Sequence, residues 1–136
     1  MKTALNCASM MLCTVGPAHG SAVAIGDSLA VGFGAASHIE THARVGASSC
    51  AIVGMVPAKH YDFTLISAGT NDPPGRCIEQ VRARVNADVV EWVVPVNGAR
   101  GHVLQVAARH GDRTLSYAPA GGRAGVHPRA YWNVLR

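Results

Sequence analysis

The chain has 136 residues, 49% of them hydrophobic and 15% charged, with a formal charge of +4. That length bounds it to one domain, and the apolar share excludes a disordered or solvating chain. Twelve basic residues, only two of them Lys, are scattered along the sequence and fall short of a nucleic-acid footprint. Past the chain's start, no apolar run is long enough to span a bilayer.

Residues 1–20 (MKTALNCASMMLCTVGPAHG) have the layout of a secretory signal peptide: Lys2, then a short uncharged apolar stretch, then a breaker and small residues. The competing reading is a short buried N-terminal helix. Removal of the segment takes Cys7 and Cys13 with it and leaves Cys50 and Cys77, an even pair for an oxidising compartment. One disulfide is the simple reading; two buried thiols is the other.

From Ser21 onward, strand and helix patterns alternate. Ala22–Ile25 is a short apolar strand closed by Gly26-Asp27. Leu29–Ala36 reads as a small helix, weakened by Gly32 and Gly34. Ile39–Val45 alternates like a strand with His42 and Arg44 on its polar face, and Cys50–Val56 forms a short helix ended by Pro57. Asp62–Ser67 is a buried strand. Cys77–Asn86 places Ile78, Val81 and Val85 at helical spacing. Asp88–Val96 is the strongest strand, rich in β-branched residues. His102–His110 is a helix, Thr114–Tyr117 a final strand, and Pro128 opens a closing helix through Tyr131, Trp132 and Leu135. Five strands alternating with helices argue for an α/β domain with a parallel sheet covered on both faces. Ligand sites in such folds lie beyond the carboxyl ends of the strands.

The loops at that edge carry the chemistry. Gly26-Asp27-Ser28-Leu29 follows the first strand and puts Ser28 at a helix N-terminus, as a nucleophile or as an ordinary N-cap. Gly46 follows the second strand, where a bare backbone can approach a ligand and offer its N–H. Gly69-Thr70-Asn71-Asp72 follows the third strand. The Asn71 amide can donate to a developing oxyanion, or the segment is turn chemistry ahead of Pro73-Pro74. Near the end, His127 in Gly125-Val126-His127-Pro128 is a candidate general base on the same edge, or a surface histidine. Gly32-Phe33-Gly34 lies inside a helix and does not read as a dinucleotide loop. His38, Glu40 and His42 read as exposed strand residues, and Arg100-Gly101-His102 as a helix start or a contact for an anionic or sugar substrate.

These four blocks, in this order, resemble the SGNH hydrolase family, also called GDSL esterases, over the whole chain from Ala22. The resemblance implies a flavodoxin-like three-layer α/β/α sandwich with a five-stranded parallel sheet, here of minimal size. It implies Ser28 as nucleophile and His127 as base, with an oxyanion hole from the Ser28 and Gly46 N–H groups and the Asn71 side chain. No metal or organic cofactor is implied. The substrate would be a small-molecule or glycan ester carrying a short acyl or acetyl group. The chain departs from the family pattern at Ala124, where an Asp three residues before the histidine is usual. A Ser–His dyad is then expected, its ring oriented by a backbone carbonyl near Ala124, with Asp112 or Glu91 as substitutes that the sequence does not place. The alternative function is a catalytically weak or inactive module of the same fold that binds glycan or protein. On this map Cys50 and Cys77 sit in the loop regions that supply oxyanion donors, so a Cys50–Cys77 disulfide is expected. The protein is expected to be secreted or periplasmic, with no membrane span and no nucleic-acid partner; nothing in the sequence fixes an oligomeric state.

Overall fold

A computed structural model describes residues 21–135. The expected signal segment, with Cys7 and Cys13, lies outside them. Five strands form one parallel sheet: β1 (Ala22–Gly26), β2 (Glu40–Ala43), β3 (His60–Ser67), β4 (Asn86–Val93) and β5 (Arg113–Leu115), in the spatial order β2-β1-β3-β4-β5. The helices are α1 (Ser28–Ser37), α2 (Ser49–Val53), α3 (Ile78–Arg84), α4 (Arg100–His110) and α5 (Tyr131–Val134). The chain leaves β1 for one neighbour, β2, then crosses back to the other, β3. The carboxyl end of β1 is therefore the topological switch point, where neighbouring loops diverge and a crevice opens.

Both faces of the sheet are covered. Parallel register sets Ile25 beside Ile66 and Ile66 beside Trp92. These residues form one buried face with Val23, Ile52 of α2, Ile78 and Val81 of α3, and Val103 and Val106 of α4. The alternate residues Leu65 and Val93 point the other way, onto Leu29 and Phe33 of α1, with Tyr131 and Val134 of α5 at the margin. The three-layer sandwich expected from the sequence is thus what forms.

The expected boundaries move in three informative places. Two glycines inside α1 sit at close approaches. A side chain at Gly34 would meet Thr41, and one at Gly32 would meet the ring of Tyr131. Asn86 is the first residue of β4 and not the end of a helix; Val85 has already turned extended as the α3 cap. The segment after β5 is not a loop leading into a helix at Pro128. It forms an antiparallel hairpin, β6 (Pro119–Gly121) and β7 (Gly125–Pro128), closed by a 3₁₀ turn at Gly122–Ala124. His127 precedes a proline, which disfavours helical backbone at that position, and Pro128 pairs with Pro119. The closing helix starts only at Tyr131.

Cys50 and Cys77 are disulfide-bonded, 27 residues apart in sequence, at the starts of α2 and α3. In the chain-entropy account, closing that loop restricts the unfolded chain by roughly 3 to 4 kcal/mol. A Cys50→Ala/Cys77→Ala variant should therefore lose about that much unfolding free energy in urea titration, and the wild type should lose it on reduction. A midpoint unmoved by either would show that the bond adds no stability.

Candidate active site

The first strand ends in Gly26, whose backbone is held at φ 141°; a methyl there would sit 1.9 Å from the Ser67 carbonyl oxygen. That close approach lets the Asp27 N–H donate to Ser67 O at 3.0 Å, so the chain leaves β1 pinned to β3. Asp27, not Ser28, is the N-cap of α1: its Oδ1 accepts from the Leu29 N–H at 3.1 Å and from Ser67 Oγ at 2.7 Å. The capping reading of Ser28 is thereby replaced. Ser28 is the first helical residue, its hydroxyl free for other work and its N–H one that the helix itself leaves unpaired.

Ser28 Oγ lies 3.2 Å from His127 Nε2, across 99 residues of sequence. The other ring nitrogen, Nδ1, bonds to the hydroxyl of Tyr131. This corrects the expectation of a backbone carbonyl near Ala124, which instead sits exposed in the 3₁₀ turn. It also removes the two substitute carboxylates. Asp112 is spent on a bidentate pair with Arg82 (2.6 and 3.0 Å) and on the Trp92 indole N–H at 2.9 Å. Glu91 lies along β4 opposite Arg113 and is not among the groups bonded to the ring. Tyr131 was missed by the sequence reading. The signal available was its spacing, four residues after His127, which reads only as a helix neighbour until the hairpin is known.

The loops expected to supply oxyanion donors are held together. Gly46 adopts φ 81° and is exposed, and its N–H makes no backbone hydrogen bond among the described residues. Asn71 donates one Nδ2 hydrogen to Ala47 O at 3.0 Å, which ties its amide to the Gly46 loop and leaves the second hydrogen available. The neighbouring Asp72 accepts from the Ser49 N–H at 2.9 Å and from Ser49 Oγ at 2.6 Å, while Ser49 Oγ accepts from the Cys77 N–H at 3.0 Å. With the disulfide, these bonds join the start of α2 to the Gly69–Arg76 loop. A cavity of about 450 Å³, lined by Ser48, Cys50, Asp72, Pro73, Pro74 and Arg76, opens beside them.

The strongest electrostatic feature is Asp27 itself. Its Oδ2 is buried with no hydrogen-bond partner among the described residues. Burial pushes its carboxyl above the ordinary value of 3.8, against the opposing hydrogen bonds from Ser67 and the α1 backbone. Burial, with the Asp27 charge adding to it, also pushes the Tyr131 and Tyr117 phenols up to about 12. Both phenols are therefore neutral across the physiological range. Elsewhere, His42 bonds to Glu40 on the edge strand at 2.6 Å, and Arg100 is an exposed helix start. The group with metal-ligand spacing among the described residues, His60, Asp62 and Asp88, is exposed. It lies at the amino ends of β3 and β4, roughly 20 Å along the strands from the Ser28 edge.

Against known proteins, no family model matches the chain. No curated protein matches it either. Among solved structures it is similar to a protein of Bacteroides fragilis assigned as an acylhydrolase (TM-score 0.55, 15% identity, covering 85% of this chain and 82% of that one). It is similar too to a GDSL-like lipase of Bacteroides thetaiotaomicron (TM-score 0.53, 14% identity, 85% and 83%). At that identity the likeness is one of fold, and the fold is the one the four sequence blocks implied.

The raised Asp27 carboxyl sets a pH dependence of stability. The folded chain keeps a proton that the unfolded chain releases. The group's contribution is therefore largest below the ordinary carboxylate range and is lost as pH rises through the window between 3.8 and the raised folded value. Asn can serve the same cap without ionising. Urea titrations of Asp27→Asn and wild type across mildly acidic to neutral pH should show the variant gaining on wild type as pH rises. A constant difference would mean that Asp27 does not carry the effect.

Proposed function

We propose that the protein is a serine esterase that hydrolyses carboxylic esters with short acyl or acetyl groups, those on glycans included. The observation that carries the reading is the approach of Ser28 Oγ to His127 Nε2 at the switch point of the sheet. In this reading Nε2 takes the Ser28 proton as Oγ attacks the ester carbonyl. The tetrahedral oxyanion is received by the N–H groups of Ser28 and Gly46 and by the free Nδ2 hydrogen of Asn71. Collapse expels the alcohol, which takes the proton back from His127. Water then attacks the acyl-enzyme with His127 again as base, and free acid and Ser28 are regenerated.

Several features support the reading. Donors fixed before substrate arrives stabilise developing charge without having to reorganise, and here they stand on loops joined by a disulfide and by the Asp72–Ser49 bonds. The site lies at an open sheet edge, and the exposed Gly46 leaves the oxyanion side accessible, which suits small acyl groups. The disulfide is compatible with an oxidising compartment, and no helix among the described residues is long and apolar enough to cross a membrane. We assign the protein to the periplasm or the extracellular space, with residues 1–20 as its signal peptide.

The test is p-nitrophenyl acetate hydrolysis by purified protein. Ser28→Ala and His127→Ala should each abolish turnover above background. Asn71→Ala should lower kcat by about 10²- to 10³-fold, the usual consequence of losing one oxyanion donor. Equal rates for wild type and Ser28→Ala, on this and other short acyl esters, would instead point to a binding module of the same fold. Ala124 is the observation that favours that second reading.

A further inference from the structure

A histidine that takes a proton from serine must present a bare Nε2, and so must carry its own proton on Nδ1. Something has to accept that Nδ1–H and hold the plane of the ring. Ala124 cannot do so, and Asp112 is committed to Arg82 and Trp92. We propose that Tyr131 is the positioning residue of this site, its phenolic oxygen holding His127 through Nδ1 where a carboxylate would otherwise stand. The proposal rests on the serine-esterase reading and goes beyond it by naming the group that orients the base.

The seat for Tyr131 is built into the helix that carries the nucleophile. Ser28 and Gly32 are four residues apart on α1 and share one of its faces. A methyl at Gly32 would lie 2.1 Å from the Tyr131 ring carbon that bears the hydroxyl. The glycine, costly in a helix interior, is the space the phenol occupies. The next residue, Phe33, is fully buried and meets the Tyr131 ring edge-on, with centroids 4.7 Å apart and planes at 89°. One helix thus sets the serine, the gap for the tyrosine and the ring the tyrosine packs against. The hydroxyl points from that seat to Nδ1.

A phenol does this work differently from a carboxylate. A carboxylate only accepts, so it fixes both the orientation of the ring and its tautomer. A neutral phenol accepts and donates, so it fixes the orientation and leaves the tautomer free. It also adds no negative charge beside the imidazolium that forms when Ser28 attacks. Tyr131 should therefore act on the rate of the chemical steps and little on substrate affinity.

Steady-state kinetics with p-nitrophenyl acetate test this, together with the rate of Ser28 labelling by a fluorophosphonate. Tyr131→Phe removes the hydroxyl and keeps the ring against Phe33 and Gly32. Its kcat and its labelling rate should fall together by up to about 10²-fold, the cost of a misplaced catalytic group. KM should stay within about two-fold and Tm should be nearly unchanged, as when an interaction made only in the transition state is lost. Gly32→Ala retains the hydroxyl but displaces the ring that carries it, and should show the same loss in kcat at unchanged KM. Wild-type kcat in both variants, with Ser28→Ala inactive, would overturn the role of Tyr131 and leave the esterase reading standing. Full activity in Ser28→Ala would overturn both.

Discussion

The candidate site depends on one contact, the 3.2 Å approach of His127 to Ser28. Its two sides are anchored very differently. Ser28 stands at the end of a strand whose residues are almost all buried, behind a cap bonded to the neighbouring strand. His127 stands on a two-stranded hairpin whose first strand is wholly exposed. A lone hairpin is marginal at best in water, so its position must come from elsewhere. It comes from three aromatic side chains. Tyr117 donates its hydroxyl to the Val126 carbonyl at 2.6 Å, Tyr131 bonds to His127, and Phe33 meets both tyrosine rings edge-on. A chain with two Phe and three Tyr commits three of the five to this task. Edge-to-face pairs contribute about 0.5 to 1.5 kcal/mol each beyond burial, and a neutral hydrogen bond about 1 kcal/mol. That is a few kcal/mol in all, less than holds the sheet. By that count the His127 side of the candidate site is held more weakly than the Ser28 side.

The side of the candidate site that carries Gly46 and Asn71 is organised differently. It is cross-linked as well as packed. The disulfide, the Asp72–Ser49 pair and the Asn71–Ala47 bond all join the chain after β2 to the chain after β3. Asn97 adds a further tie, donating to the Thr70 carbonyl at 2.8 Å. In a small domain with few aromatics, this places covalent and polar constraints where the backbone must be irregular and exposed. The larger apolar core lies beneath the same segment, under α2, α3 and α4, and includes Ala47, Ile52 and Ile78.

How much of this was legible follows from what is local. The strands β1, β3 and β4 announce themselves because buried parallel strands are continuous apolar runs, and the Ser28, Gly46 and Asn71 blocks sit in the loops that follow β1, β2 and β3. Ser28, Gly46 and Asn71 could therefore be placed from the sequence. The hairpin could not. Its Ala-Gly-Gly-Arg-Ala-Gly stretch has neither alternation nor β-branched residues, and its pairing is visible only once Pro119 and Pro128 face each other. Ala124 showed that something was missing beside His127 without showing what replaced it. Tyr131 reaches the ring only because Gly32 leaves room on a helix ninety-nine residues away, and a read of local pattern has no access to such a contact. The same reading treated Gly32 and Gly34 as weaknesses of α1, when they are sites of close approach to Tyr131 and Thr41.

Charge is unevenly distributed along the chain. Residues 1–112 hold eight basic and eight acidic side chains, so the whole formal charge of +4 falls on the segment after Asp112, which has four arginines and no acid. This is the segment that carries His127, with Arg123 and Arg129 exposed on either side of it in sequence. The field of exposed cations is screened beyond about 8 Å at physiological salt. Asp27 is buried nearby: burial first, and the Asp27 charge second, push the Tyr117 and Tyr131 phenols up. Asp27 sits one residue before Ser28, and the contact to the His127 ring comes from the neutral phenol of Tyr131. In the role proposed for it, Tyr131 supplies the orientation that a carboxylate would give, without its charge.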